Sequence, residues 1–260
     1  ARQLHAEHGQ RDHEGGDPLS GLQGGVLCKT GLKRTVNQDR AGMLAQGETC
    51  LCYLADGMGG HYAGEQASGL IAQALTDWWN NWLEAARKMP LQELAEHFKT
   101  LLDDCAAELN ARTPADQYCG STVVVLWINE GQYLLLTAGD SRCYRLRYGL
   151  LRTELCQLST DDVYHARGPE DQALEGKLTN CIGSQYAARY TVQTGQVAHR
   201  TLFALCSDGV YRYCPPASFQ AELLQAARSE DLKQALDRIS AIVCSHGAPD
   251  NYSLVLAQIR

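Results

Sequence analysis

The sequence predicts an α+β fold, a four-layer αββα sandwich in which two antiparallel β-sheets are flanked by helix pairs. Short runs rich in Val, Leu, Tyr and Thr, bounded by Gly, Asp or Asn, recur along the chain and are typical of strands. Few helical segments separate these runs, which favours antiparallel pairing over βαβ winding. Two pairs of amphipathic segments supply the two outer layers.

The strand predictions follow the apolar runs. A turn at Asn129, Glu130 and Gly131 lies between two of the runs and predicts that they form a hairpin. The predicted strands span residues 24–29, 40–45, 49–55, 119–128, 132–138, 142–147, 188–197, 201–206 and 252–259.

The helix predictions rest on apolar residues that recur at intervals of three and four. They place one pair over residues 65–88 and 91–109, separated at Pro90, and a second pair around residues 219–224 and 232–243. The spacing assigns Trp78 and Trp82 to the buried face of the first helix and Trp79 to its edge.

Composition limits the domain organisation and the partners. No Pro/Ser/Gly-rich linker follows residue 24, so residues 24–260 are predicted to form a single domain, preceded by a disordered segment or tag at 1–23. A net charge of -7 argues against nucleic acid and anionic membranes as partners. No apolar run approaches the ~20 residues that span a bilayer, so we expect no membrane insertion. Eleven cysteines without a C-x-x-C pair favour a reducing cytoplasm over a disulfide framework.

Carboxylates stand at the ends of four predicted strands: Asp56, Asp140, Asp208 and Asp250. The glycine-rich stretch that begins at Asp56 fits neither a dinucleotide fingerprint nor a P-loop. Converging carboxylates repel each other unless a cation lies among them, and oxygen ligands suit Mg²⁺ or Mn²⁺. Each aspartate is also a common turn residue. From this pattern alone, a metal site and a set of turn residues both stay open.

A family resemblance adds to this pattern. Seven motifs follow one another along residues 24–259: Arg34-x-x-Asn37-Gln38-Asp39, Ala55-Asp56-Gly57-Met58-Gly59-Gly60-His61 with Ala63-Gly64-Glu65-x-Ala67-Ser68, Gly120-Ser121-Thr122, Ala138-Gly139-Asp140-Ser141-Arg142, Leu158-Ser159-Thr160-Asp161-Asp162, Cys206-Ser207-Asp208-Gly209 and Asp250-Asn251-Tyr252-Ser253. In this set and order the chain resembles the bacterial 2C-type (PPM) metal-dependent protein phosphatases.

The resemblance implies a single phosphatase catalytic domain over 24–260 and two Mn²⁺ or Mg²⁺ ions sharing a water that attacks phosphoserine or phosphothreonine. It implies that Asp56 bridges the ions, the Gly57 carbonyl binds one, and Asp208 and Asp250 complete the other. The residues implied in catalysis are Arg34, which would hold the phosphate, and Asp39, which would orient metal-bound waters. Asp140 matches a residue that, with Asp208, supports a third, weaker ion.

Two departures bear on these expectations. Met58 stands where eukaryotic relatives have a histidine that can protonate the leaving group. His61 and a metal-bound water are alternative proton donors, and a structural or solvent-facing role for His61 also stays open. The flap at 162–178 is short, which bears on substrate choice.

The expected partners are phosphorylated proteins and a cognate bacterial Ser/Thr kinase, in envelope signalling or type VI secretion control, and the chain is expected to be a monomer. Two other functions stay open: a catalytically silent phosphoprotein-binding regulator and a hydrolase of small phosphoesters.

Overall fold

A computed structural model describes residues 2–5, 13–17, 21–59, 63–149, 152–183, 187–229 and 231–260. The strands, in chain order, are β1 (Arg2–His5), β2 (His13–Asp17), β3 (Leu22–Lys29), β4 (Asp39–Gln46), β5 (Thr49–Gly59), β6 (Cys119–Ser121), β7 (Val123–Asn129), β8 (Gln132–Ala138), β9 (Arg142–Tyr148), β10 (Thr153–Gln157), β11 (Thr191–Gln196), β12 (Thr201–Cys206) and β13 (Tyr252–Ile259).

These strands form two sheets in which every pairing is antiparallel. The first sheet has the order β1-β4-β5-β7-β8-β11, with β6 paired to the far end of β5. The second has the order β10-β9-β12-β13-β3-β2. The predicted hairpin is the β7–β8 pair, in which Asn129 lies opposite Gln132 across the turn.

The helices are α1 (Ala63–Ala86), α2 (Leu91–Arg112), α3 (Asp208–Tyr211), α4 (Pro216–Ser229) and α5 (Leu232–Ser245), with a 3-10 helix at Pro169–Leu174. Helix α5 begins at the side-chain cap of Asp231, whose carboxylate accepts the Gln234 N–H at 2.8 Å. The short α3 directly follows β12 and begins at Asp208.

Three apolar clusters hold the layers together. One lies between the first sheet and helices α1 and α2, a second lies between the two sheets, and the third lies between the second sheet and helices α4 and α5. Stacking of this kind gives the order helix, sheet, sheet, helix. The predicted α+β sandwich is therefore confirmed.

Two predictions for tryptophans of α1 are wrong: that Trp79 lies at the edge of the buried face, and that Trp82 lies on it. Trp79 is 1% exposed and packs edge-on against Trp127 of β7, with ring centroids 5.8 Å apart. Trp82 is 44% exposed and lies against His97 of α2. The buried face of α1 runs through Leu75, Trp79 and Leu83, each four residues from the next. Trp79 therefore packs against the sheet, and Trp82 falls beside this face toward solvent.

Two other parts of the chain differ from expectation. Strand β10 was not predicted. It lies at the edge of its sheet and carries mostly polar or exposed residues, so it lacks the apolar run on which the strand predictions rest. Within residues 1–23, for which disorder is expected, β1 pairs with β4 and β2 pairs with β3. Partner strands, which local composition does not reveal, order these two stretches.

Within the described residues, no helix is long and apolar enough to cross a membrane. All eleven cysteines lie in the described part of the chain and are free thiols.

Candidate metal centre

The sheet registers bring the predicted carboxylates to one end of the sandwich. In the first sheet, Asp39 at the start of β4 lies directly opposite Asp56 in β5. In the second sheet, the last residue of β12, Cys206, is paired with Leu254 of β13. Asp208, just after β12, and Asp250, just before β13, therefore lie at the same sheet edge.

Asp56, Asp208 and Asp250 line a cleft of about 320 Å³ between the two sheets, together with Asp140. Four carboxylates, two arginines and the glycine-rich end of β5 make its wall strongly polar. The lining residues are Arg34, Gln38, Asp56, Gly57, Met58, Gly59, Thr122, Asp140, Gly176, Leu178, Asp208, Arg212, Asp250 and Asn251. The cleft thus contains all of the predicted site residues except Asp39, which lies behind it.

Asp39 is 1% exposed and is anchored from the second sheet. Its Oδ2 accepts hydrogen bonds from the hydroxyls of Ser207 at 2.9 Å and Ser253 at 2.7 Å, whereas its buried Oδ1 has no partner among the described residues. Burial raises the pKa of Asp39 to about 7, the two serine hydrogen bonds oppose this rise, and repulsion from Asp208 and Asp250 adds to it. One carboxylate oxygen is therefore fixed, and the other needs a donor.

Asp56 and Gly57 are held by contacts that depend on glycine. The Asp56 N–H donates to the Thr122 hydroxyl at 3.1 Å, and the Gly57 N–H donates to the Gln38 carbonyl at 3.1 Å. A Cβ at Gly57 would lie 2.0 Å from the carbonyl oxygen of Gly64, at the start of α1. Only glycine permits this approach of strand to helix, so the motif's first glycine is a packing requirement here.

Arg34 lies on the opposite wall and donates to Asp250 Oδ2 at 2.9 Å. The loop that carries it is clamped by Asn251, whose amide donates to the Thr30 carbonyl at 2.8 Å and the Val36 carbonyl at 3.0 Å. The guanidinium side chain is 51% exposed. A planar, exposed guanidinium beside a cleft is suited to bind an anion that enters from solvent.

Asp140 and Asp208 form the third part of the wall, together with Arg212. The Arg212 guanidinium lies 3.2 Å from Asp208 Oδ2 and 3.5 Å from Asp140 Oδ2. Burial raises the pKa of Asp208 to about 6; attraction to Arg212 lowers this pKa, and repulsion from Asp140 and Asp250 raises it. Burial also raises the pKa of Asp140, whereas attraction to Arg212 and a hydrogen bond from Tyr211 lower it.

Desolvation and mutual repulsion also act on Asp56. Burial raises its pKa well above the ordinary value, and the charges of Asp39, Asp208, Asp140 and Asp250 raise it further. Such a cluster is costly to ionise without a cation. The donors are all oxygens, which suits a hard divalent ion.

In the described residues, no three His, Cys, Asp or Glu side chains are yet arranged around a common ion position. Three of the carboxylates are instead ion-paired: Asp250 with Arg34, and both Asp208 and Asp140 with Arg212. The residue types, the crowding and the orphaned Asp39 oxygen fit divalent ions, while the arginines compensate part of the negative charge.

The flap at 162–178 borders the cleft through Gly176 and Leu178. The two ends of the flap are joined by an isolated antiparallel β-bridge between Val163 and Leu178. The Thr179 N–H also donates to the Asp162 carbonyl at 2.8 Å. The Asp162 carboxylate also accepts the Gly139 N–H at 2.9 Å. The flap is thereby connected to the loop that carries Asp140.

Several residues that build the site had no predicted role. Ser207 and Ser253 anchor Asp39, Asn251 clamps the Arg34 loop, and Arg212 pairs with two carboxylates. The position of Arg212, four residues after Asp208 and therefore one helical turn later, was a signal that could have found it. His61, a predicted candidate proton donor, lies outside the described residues.

Comparisons with known proteins identify the family of the chain. Residues 32–241 match the family described as protein phosphatase 2C. The chain is 26% identical over 238 residues to the serine/threonine phosphatase stp of Listeria innocua, covering 88% of this chain and 92% of that protein.

Solved structures with the same fold include the catalytic domain of the serine/threonine protein phosphatase PstP in complex with two manganese ions. Its TM-score is 0.69 at 25% identity, covering 91% of this chain and 97% of that one. PppA of Pseudomonas aeruginosa, described as a key regulatory component of the type VI secretion system, has a TM-score of 0.71 at 24% identity, covering 92% and 98%. From the match over 32–241, this chain belongs to the protein phosphatase 2C family.

Proposed function

We propose that the chain is a Mn²⁺- or Mg²⁺-dependent protein phosphatase that hydrolyses phosphoserine and phosphothreonine. The observation that carries this proposal is the convergence of Asp56, Asp208 and Asp250 on one cleft that also contains Arg34. The proposal is supported by the two manganese ions in the PstP structure and by the name of the Listeria relative.

The metal would be held by oxygen ligands from both sheets. Asp56 would bridge two ions, the Gly57 carbonyl would bind one, and Asp208 and Asp250 would complete the other. When bound, a pair of divalent ions lowers the pKa of a shared water and stabilises the oxygens of an in-line displacement at phosphorus. The mutual repulsion that raises the pKa of Asp56 and Asp208 is the physical reason for expecting cations here.

Arg34 would bind the phosphoryl oxygens through its exposed guanidinium, after exchanging its Asp250 contact for the incoming anion. Asp39 would orient a water in the cleft. Its Oδ2 is fixed by Ser207 and Ser253, which leaves the buried Oδ1 as the oxygen that could accept a hydrogen bond from such a water. We expect this role to require the ionised form of Asp39, so activity should fall as Asp39 is protonated.

A cognate Ser/Thr kinase and a role in type VI secretion control are extensions of the proposal, drawn from the fold likeness to PppA. The net charge of -7 argues against nucleic acid as a partner. Eleven free thiols support a reducing cytoplasm as the location. We further propose that residues 24–260 act as one catalytic unit and that the enzyme works as a monomer.

Phosphate release from a phosphothreonine peptide, measured with Mn²⁺ or Mg²⁺ and with EDTA, tests the proposal. We expect EDTA-sensitive turnover by the wild type and loss of turnover in Asp208→Asn. Asp237→Asn, on the exposed side of α5, is the matched control and should keep its activity.

The same assay separates the two remaining functions. A wild type without EDTA-sensitive turnover of any phosphoester would support a silent phosphoprotein-binding regulator. Turnover of p-nitrophenyl phosphate without turnover of phosphopeptides would support a hydrolase of small phosphoesters. Either result would contradict the proposed protein phosphatase.

A further inference from the structure

Arg212 reaches into the cleft between two of its carboxylates. Its Nε lies 3.2 Å from Asp208 Oδ2, and its terminal nitrogen lies 3.5 Å from Asp140 Oδ2. Asp140 and Asp208 are the pair that the family resemblance assigns to a third, weaker ion. In this chain a guanidinium stands between the same two side chains.

Helical geometry fixes the position of Arg212 relative to Asp208. The two residues are four apart along α3 and its C-cap, and the Arg212 N–H donates to the Asp208 carbonyl at 3.0 Å. Side chains at this spacing lie on the same face of a helix. The ion pair with Asp208 therefore follows from the sequence spacing.

A second set of contacts holds Asp140. Its Oδ2 accepts a hydrogen bond from the Tyr211 hydroxyl at 3.3 Å as well as the Arg212 contact. The Tyr211 ring is covered by the Arg142 guanidinium, whose carbon lies 3.6 Å from the ring centroid. Arg142 in turn binds Asp161 at 2.7 Å and 3.0 Å. The Asp140 carboxylate, which would bind a third ion, therefore already accepts contacts from Tyr211 and Arg212. The Tyr211 ring is itself held in place by Arg142.

The charges around the pair decide what it can bind. Asp161 compensates Arg142, which leaves Arg212 as the positive charge shared by Asp140 and Asp208. A divalent ion between these carboxylates would have to displace the guanidinium or lie beside it. Asp208 contacts Arg212 through Oδ2, and its second oxygen can serve an ion that it shares with Asp250. The two proposed ions are therefore compatible with Arg212, and a third ion competes with it.

We propose that Arg212 is the resident cation of the Asp140–Asp208 pair and takes the place of a third metal ion, so that this enzyme operates with two. The inference rests on the proposed function, because Asp208 belongs to both the ion pair and the proposed metal centre. Arg212 is a positioning residue: it holds Asp208 and Asp140 and neutralises part of their charge.

The number of bound ions tests the inference directly. Mn²⁺ bound per chain is measured by equilibrium dialysis and electron paramagnetic resonance for wild type, Arg212→Ala, Arg212→Gln and Arg212→Lys. We expect two ions in the wild type and in Arg212→Lys, and three in Arg212→Ala and Arg212→Gln. A nearby unit charge changes proton affinity by about 1–3 log units, so third-site affinity should rise at least about tenfold when the charge is removed.

Two controls make the ion count specific. Arg238→Ala removes an arginine of similar exposure that pairs with Glu222 away from the cleft, and it should leave the count at two. The double variant Arg212→Ala/Asp140→Asn should lose the third ion again. Circular dichroism of each variant verifies that it is folded, and the neutral glutamine replacement preserves much of the side-chain volume if alanine perturbs the site.

Three ions in the wild type, or two ions in both neutral Arg212 variants, would overturn the inference while leaving the proposed phosphatase intact. A wild type that binds no Mn²⁺ would contradict both the inference and the proposed metal centre. These outcomes are distinguished in one titration.

Discussion

Replacing Asp208 with Asn should make the metal-free protein more stable while removing its metal-dependent activity. Asp208 is 21% exposed, borders two other carboxylates, and has a pKa raised from 3.8 to about 6, chiefly by burial. Its charge at pH 7.5 therefore opposes folding. Asparagine keeps the shape of the side chain without that charge.

The expected gain in the free energy of unfolding follows from the raised pKa of Asp208. A difference of about 2 pKa units corresponds to about 3 kcal/mol at pH 7.5. The attraction to Arg212, which lowers the pKa of Asp208, is already contained in this shift. A gain of about 3 kcal/mol should raise Tm by about 6–12 °C for a domain of this size.

The pH dependence has a definite sign. Because the folded-state pKa of Asp208 is raised, the folded protein binds this proton more tightly than the unfolded chain does, and the wild type gains stability as pH falls through about 6. Asp208→Asn lacks this gain. The difference in Tm between the two proteins should therefore shrink from pH 7.5 to pH 5.

Thermal unfolding followed by circular dichroism in EDTA tests this prediction, with Asp237→Asn on exposed α5 as the control, expected to stay within about 0.5 kcal/mol of the wild type. Added Mn²⁺ should raise the Tm of the wild type and much less that of Asp208→Asn. An Asp208→Asn protein that is less stable than the wild type in EDTA, or a Tm difference that is constant with pH, would refute the reasoning.

Two further predictions concern the first sheet and its anchor. Gly57→Ala should lower stability by about 1–3 kcal/mol in urea unfolding, because its Cβ would lie 2.0 Å from the Gly64 carbonyl oxygen; unchanged stability would show that the contact yields freely. Ser253→Ala removes a hydrogen bond that lowers the pKa of Asp39, so the acid limb of the activity profile should move to higher pH; a shift to lower pH would contradict the role of Asp39.

The fold was largely predictable because its strands are short, apolar and separated by strong turn residues. The helix periods located both helix pairs to within a few residues. The missed elements depend on strand pairing that local composition does not reveal: β10 is a polar strand at the edge of its sheet beside β9, and β1 and β2 pair with β4 and β3. Trp79 is buried because α1 is covered by both the sheet and α2.

The site was predictable in its carboxylates and less so in its support. Aspartates at strand ends can be recognised in the sequence because each one stands next to an apolar run. The serines that anchor Asp39 come from β13 and from the residue before α3, so only the register of the second sheet brings them there. Arg212 was overlooked because an arginine after a short helix is ordinarily an exposed charge, and its partner Asp140 is 72 residues away.

The proposed metal centre requires Asp56 to join Asp208 and Asp250 around two divalent ions. A crystal structure of the Mn²⁺-soaked protein, with anomalous difference maps recorded at the manganese absorption edge, can locate these ions. We expect two anomalous peaks in the cleft, both contacted by Asp56, with one also contacted by Asp208 and Asp250. Peaks that avoid Asp56, or a cleft without any peak at saturating Mn²⁺, would contradict it.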